Sequence, residues 1–277
     1  MRSKWKQLIW PLLLLPPLLI GVSLSCADQW VLPGNHDVID AGGAERHVLQ
    51  VDGRAVEYWV ARTPTESSKG PKAFVFFLVG KGGRADQWIN PVAWSWGNRP
   101  IEVWGMNYPG SGGSEGPPSL ARVGPDALAT FDAMKRVAGD RPIYLHAGSI
   151  GTTVALCVAA RRPVAGVILQ NPPPLKQLIL GKYGWWNLWL VAGPVASHIP
   201  VELDSIHNAK LSTARAIFIV SDSDEVIPPR YHAMVVDAYA GPKRIIHMPG
   251  AAHNAPLPRE AADQLKKELD WLCGPPR

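Results

Sequence analysis

Six short runs of apolar residues recur along the chain, at 73–79, 101–107, 143–146, 164–169, 216–220 and 244–248. Each is too continuous in hydrophobic side chains for a strand with one face in water, so the runs predict a parallel sheet covered on both faces. Between them lie helical candidates at 125–138, 152–161, 229–240 and 260–273, the last with Leu265, Leu269 and Leu272 at helical spacing. Upstream, 47–51 and 55–61 flank the turn Asp52-Gly53 and predict an antiparallel hairpin. An edge hairpin followed by strand-helix alternation predicts an α/β domain with a mostly parallel, doubly wound sheet.

One interval breaks the rhythm. The stretch at about 172–213 is too long for an ordinary loop and is rich in aromatics. It reads as a short helical lid inserted in a domain spanning 45–277. Trp185, Trp186 and Trp189, with Leu188, Leu190 and Val191 beside them, are candidate substrate-binding residues that would offer an apolar surface to an acyl chain. Packing within the lid itself is the competing use of the same residues.

The start of the chain has a different grammar. Arg2, Lys4 and Lys6 precede an apolar run over 8–24 that is broken by Pro11, Pro16 and Pro17 and ends in the small residues Ser23 and Ser25. Residues 1–25 therefore read as a signal peptide or an N-terminal anchor, and the protein as exported, periplasmic or extracellular. Ser23-Leu24-Ser25-Cys26 also resembles a bacterial lipoprotein processing site with Cys26 as lipid acceptor, which would make the chain a membrane-anchored lipoprotein. Residues 26–44, polar and poorly patterned, read as a linker.

Composition narrows the class. The chain has 277 residues and 47% hydrophobic content, enough for one full α/β core. The formal charge is +5, but Arg2, Lys4 and Lys6 supply three of those positives, so the excess reports targeting and no nucleic-acid partner is implied. Cys26, Cys157 and Cys273 suggest no disulfide framework, and no ligand spacing supports a metal site or any other cofactor.

The candidate chemistry begins at 143–146, which runs into Ala147-Gly148-Ser149-Ile150-Gly151 and then a helix. Small residues two before and two after a serine let the chain turn sharply and expose its hydroxyl. Helix capping by Ser149 is the plainer alternative. Two partners follow in the order a serine hydrolase on such a sheet requires. Asp224 lies in Ser221-Asp222-Ser223-Asp224-Glu225, just past the carboxyl end of a strand, and His253 follows Pro249-Gly250-Ala251-Ala252 after the last strand. A serine hydroxyl is a poor nucleophile, so His253 would take its proton and Asp224 would fix the imidazole tautomer. The backbones of Lys81, in Gly80-Lys81-Gly82-Gly83, and of Ile150 are the candidate oxyanion donors. A phosphate-cradling loop at 80–83 lacks the required terminal Lys-Ser or Lys-Thr.

With these residues in place, 45–273 resembles the α/β-hydrolase superfamily, specifically its small, short-lid serine hydrolases similar to the depalmitoylase-like branch. Asn107-Tyr108-Pro109-Gly110-Ser111-Gly112-Gly113-Ser114-Glu115-Gly116 is similar to the family's D-Y-x-G-x-G-x-S-x-G turn, with Asn107 replacing the aspartate. Val79-Gly80-Lys81-Gly82-Gly83 is similar to its H-G-x-G-G loop, with Val79 replacing the histidine, and Ala147 takes the place of the first glycine of G-x-S-x-G. The resemblance implies an α/β-hydrolase fold and cleavage of a carboxylic ester or thioester, with a hydrophobic acyl group, through an acyl-enzyme. The expected partner is a small or lipid-like ester. A serine peptidase or acyltransferase would share every one of these residues, and a catalytically silent binding protein would share the fold. Haloalkane and epoxide chemistry is disfavoured because those relatives carry an aspartate where Ser149 stands.

Overall fold

The computed structural model describes residues 2–63, 70–187 and 189–274, with 2–16 described as backbone. In chain order come α1 (Arg2–Val31), β1 (Glu45–Val51), β2 (Arg54–Arg62), β3 (Ala73–Leu78), α2 (Ala85–Ser95), β4 (Ile101–Met106), α3 (Leu120–Ala138), β5 (Ile143–Gly148), α4 (Ile150–Ala159) and β6 (Gly166–Gln170). The interval expected to form a lid holds α5 (Leu175–Tyr183), α6 (Ala192–His198) and α7 (Ser205–Leu211), with single 3-10 turns at Trp185–Asn187 and Val201–Leu203. The chain closes with β7 (Arg215–Ser221), α8 (Pro229–Ala238), β8 (Lys243–Met248) and α9 (Arg259–Cys273).

The strands form one eight-stranded sheet in the order β1-β2-β4-β3-β5-β6-β7-β8. The first two strands pair antiparallel across Asp52 and Gly53, both of which have positive φ, as a two-residue hairpin matched to strand twist demands. From β4 to β8 every pairing is parallel, while β2 meets β4 antiparallel. Strands β3, β4 and β6 are buried almost throughout, as continuous apolar runs require. Strand β8 departs from that expectation. It lies at the sheet edge and alternates, burying Ile246 and Met248 while Ile245 is exposed.

The structure also revises the linker. On the sequence alone 26–44 is a free connection, yet α1 continues to Val31 and places Ala27, Val31 and Leu32 in the core. Asp28 Oδ1 accepts the Leu120 N–H at 2.8 Å, capping α3, and lies 3.3 Å from His198 Nε2 on the lid helix α6. Among the described residues no helix is long and apolar enough to cross a membrane. The three cysteines are unpaired.

Parallel strands joined by crossover helices all end at one edge of the sheet, and loops at that edge build the site. Ser149, Asp224 and His253 follow β5, β7 and β8 respectively, so the topology alone brings them to a common rim.

Candidate active site

Ser149 occupies a turn between β5 and α4 with φ 50° and ψ −128°, outside the regions a side chain prefers. Such a conformation costs about 1–3 kcal/mol and persists only where neighbours fix it. Here the Ser149 N–H donates to Gln170 O at 2.8 Å, anchoring the turn to β6. At Gly151 a Cβ would lie 2.2 Å from Leu78 O, so only glycine lets α4 start this close to β3. Ala147, standing in for the family's first glycine, is 1% exposed and pairs with Leu78 and Leu169 within the sheet, so its methyl is taken up by the core.

Around Ser149 the three residues expected from the sequence converge. His253 Nε2 lies 3.1 Å from Ser149 Oγ, and His253 Nδ1 lies 2.6 Å from Asp224 Oδ2. A proton on Nδ1 satisfies the carboxylate and leaves the Nε2 lone pair facing the hydroxyl. Asp224 is buried, and its Oδ1 accepts the N–H groups of Val226 at 2.9 Å and Ile227 at 2.7 Å. Burial opposes its ionisation, but hydrogen bonds from His232, His253 and the Ile227 N–H outweigh that cost and hold the carboxyl well below the usual range. Asp222, the neighbouring acid, instead meets His247 Nδ1 at 2.9 Å on the surface.

Two further residues serve this arrangement and were invisible in the sequence. His232, in the first turn of α8 and 2% exposed, places Nε2 3.0 Å from Asp224 Oδ2, and its Nδ1 lies 3.3 Å from Pro172 O. Asn171 has φ 50° just after β6, donates to Ser221 Oγ at 3.0 Å and His253 O at 3.2 Å, and accepts the Ser221 N–H at 2.9 Å. It ties the ends of three strand loops together. No local motif distinguishes either residue, because each acts across a loop junction rather than within a turn.

The glycine-rich loop after β3 approaches the serine closely: a Cβ on Gly80 would come within 3.5 Å of Ser149 Cβ. Among the described residues, neither the Lys81 nor the Ile150 N–H donates to a protein acceptor. The Lys81 side chain turns away and donates to Trp30 O at 2.5 Å, and burial pushes its ammonium below the usual lysine range. Behind this loop Asn107, in the place of the family's aspartate, donates to Glu57 Oε2 at 2.6 Å and Asp86 Oδ1 at 3.3 Å and accepts the Ala85 N–H at 2.7 Å. An amide can bridge two carboxylates where a third carboxylate could not.

Two cavities meet at Ser149. The first, about 400 Å³, is walled by Leu178, Ile179, Val195 and Trp186 of the lid region and by Trp30 and Val31 of α1. The second, about 910 Å³, lies on the side of His253 and the 80–83 loop. Trp186 lines the first of these two cavities, and Trp185 and Trp189 line neither. Trp185 is 69% exposed, and Trp189 folds back on the lid, its Nε1–H donating to Leu180 O at 3.1 Å. Leu188 lies outside the described residues. The sequence missed Trp30 and Val31 because they sit in the presumed linker.

Comparison with known proteins bears on the fold. The family model described as alpha/beta hydrolase fold matches residues 75–271. An uncharacterised protein of Mycobacterium tuberculosis is 28% identical over 230 residues, 82% of this chain and 75% of the relative. Among solved structures, a cold-adapted esterase from an Arctic intertidal metagenomic library superposes with a TM-score of 0.62 at 18% identity, covering 84% of this chain and 99% of that one. A membrane phospholipase A described as a bacterial virulence factor gives a TM-score of 0.58 at 17% identity, covering 98% and 99%. At such identities these structures speak for the fold, and the family match reaches the superfamily rather than any branch within it. With a family match over most of the chain, a mostly parallel eight-stranded sheet and loops that converge at its carboxyl edge, the chain belongs to the alpha/beta hydrolase fold family.

Proposed function

We propose that the protein is a serine hydrolase that cleaves carboxylic esters or thioesters of a hydrophobic acid through an acyl-enzyme. The observation that carries this is the chain of contacts Ser149 Oγ to His253 Nε2 at 3.1 Å and His253 Nδ1 to Asp224 Oδ2 at 2.6 Å. Ser149 Oγ attacks the carbonyl while His253 Nε2 takes its proton, and Asp224 stabilises the resulting imidazolium. The N–H groups of Lys81 and Ile150 meet the oxyanion, a contribution worth roughly 3–4 kcal/mol per donor in comparable sites. Collapse of the tetrahedral species expels the leaving group, which receives the proton from His253. Water then repeats the sequence on the acyl-enzyme and frees the acid.

The 400 Å³ cavity supports an apolar acyl group, since its walls are almost wholly aliphatic and aromatic. We place the enzyme outside the cytoplasm, held at a membrane by its amino terminus. This reading is supported by the charged and apolar start of the chain and by the likeness to a membrane phospholipase A over 98% of this chain, a span that takes in most of α1. Burial of Ser23 and Ala27 and the place of Trp30 in the cavity wall support an α1 that is retained; cleavage before Cys26 with lipidation of that residue is the alternative form of attachment. A panel of aryl esters from acetyl to palmitoyl tests the function. Turnover should rise from acetyl toward medium chains with a burst of released alcohol, whereas a decisive preference for acetyl would defeat the acyl-cavity reading.

A further inference from the structure

The larger cavity has a definite chemical task, and assigning it rests on the serine-hydrolase reading. His253 must hand its proton to the leaving-group oxygen, so the leaving group has to lie on the histidine side of Ser149. His253 and Asn254 line the 910 Å³ cavity and not the 400 Å³ one. The acyl chain therefore occupies the smaller, apolar cavity and the alcohol half of the ester the larger.

One side chain in the larger cavity is built to recognise that alcohol. His146 sits on β5, three residues before Ser149, and lines the cavity. The Trp96 indole N–H donates to His146 Nδ1 at 3.4 Å, which makes Nδ1 an acceptor and puts the ring proton on Nε2. Among the described residues Nε2 has no protein partner and, in a residue that lines the cavity, it is not fully buried. Phe77 and Trp96 meet the ring edge-on with centroids at 6.3 and 6.4 Å. Burial among such groups pushes the imidazole down to about 4, so it stays uncharged at neutral pH.

The cavity is also poor in positive charge. Lys81 is its single lysine and no arginine lines it, and the Lys81 ammonium is already committed to Trp30 O. A phosphate-bearing alcohol would find a single ammonium, already hydrogen-bonded to a carbonyl, and no guanidinium to fork onto its oxygens. Uncharged oxygens would find a neutral imidazole donor together with the amides of Gln87 and Asn254.

We propose that His146 Nε2–H is a specificity-determining donor for the leaving group, and that the preferred substrates are esters of an uncharged polyhydroxy alcohol. Hydroxyls beyond the scissile oxygen hydrogen-bond to His146, and esters of simple alkyl alcohols forgo that contact.

The test compares three lauroyl esters on the full-length protein in detergent: the glycerol monoester, the methyl ester and lysophosphatidylcholine. Wild type should show kcat/KM about tenfold higher for the glycerol ester than for the methyl ester, the size of one well-placed hydrogen bond. His146→Phe should bring that ratio close to one, and His146→Gln, which keeps an N–H donor, should recover part of it. Equal rates on glycerol and methyl esters in wild type, an unchanged ratio in His146→Phe, or a preference for the phosphocholine ester would each overturn the proposal. If His146→Phe does not fold, the wild-type ratio and His146→Gln still decide. Absence of turnover on all three esters would instead strike the serine-hydrolase reading beneath it.

Discussion

His232 Nε2 stands 3.0 Å from Asp224 Oδ2, the same carboxylate oxygen that His253 Nδ1 meets at 2.6 Å. The acid is thus gripped from two sides, with its second oxygen held by the N–H groups of Val226 and Ile227. A carboxylate fixed at both oxygens cannot rotate away when His253 becomes charged. His232→Phe removes one grip and leaves the catalytic contacts in place. Steady-state kinetics should then show kcat lower by about tenfold with KM little changed, since a hydrogen bond to a charged group contributes about 1.5–3 kcal/mol and only part of it is felt in the transition state. An unaltered kcat would mean that Asp224 needs no second histidine.

Acid stability should have two stages. Asp224 is held below its ordinary value of 3.8, so its stabilisation is present above that value and is lost as pH falls through the lower folded value. His146 is depressed from 6.5 to about 4, so the unfolded chain binds its proton first, and stability is lost as pH falls from about 6.5 to about 4. Thermal melts of wild type and His146→Phe across that upper window should show a shallower fall for the variant. Parallel curves would contradict the assignment of a neutral His146.

The lid tryptophans should separate by position. Both side chains are largely exposed, but Trp186 borders the acyl cavity and Trp185 borders neither cavity at Ser149, so Trp186→Ala should raise KM for a long-chain ester about fivefold, the loss of part of an aromatic contact with the acyl chain. Trp185→Ala should leave that KM within about twofold, as surface substitutions usually do. Equal effects would show that the lid closes differently over bound substrate.

Asn107 offers a test of the polar network behind the glycine-rich loop. Restoring the aspartate common in the family would set a third carboxylate against Glu57 and Asp86, where the amide now donates to both. Asn107→Asp should cost about 2–4 kcal/mol in denaturant melts, the scale of an uncompensated buried charge.

Features of this molecule are legible in its sequence where their physical cause is local. The apolar runs located every parallel strand because burial on both faces writes itself into consecutive residues, and only β8, an edge strand, broke the expected pattern. Ser149, Asp224 and His253 could be found because each follows a strand within a few residues and the sheet topology does the rest. Helix α2 escaped notice because Pro91 and a scatter of tryptophans obscure its period over only 11 residues. Trp30, Asn171 and His232 escaped for a different reason. Their partners lie 51, 82 and 8 residues away, across contacts that only the folded chain creates.

The most direct measurement is labelling with a fluorophosphonate followed by intact mass and peptide mapping. Wild type should gain a single adduct on the peptide carrying Ser149, Ser149→Ala should gain none, and the same variant should lose at least about a thousandfold in ester turnover, as nucleophile removal does in serine hydrolases. A well-folded wild type that takes no label, or a Ser149→Ala variant that keeps its turnover, would contradict Ser149 as the nucleophile.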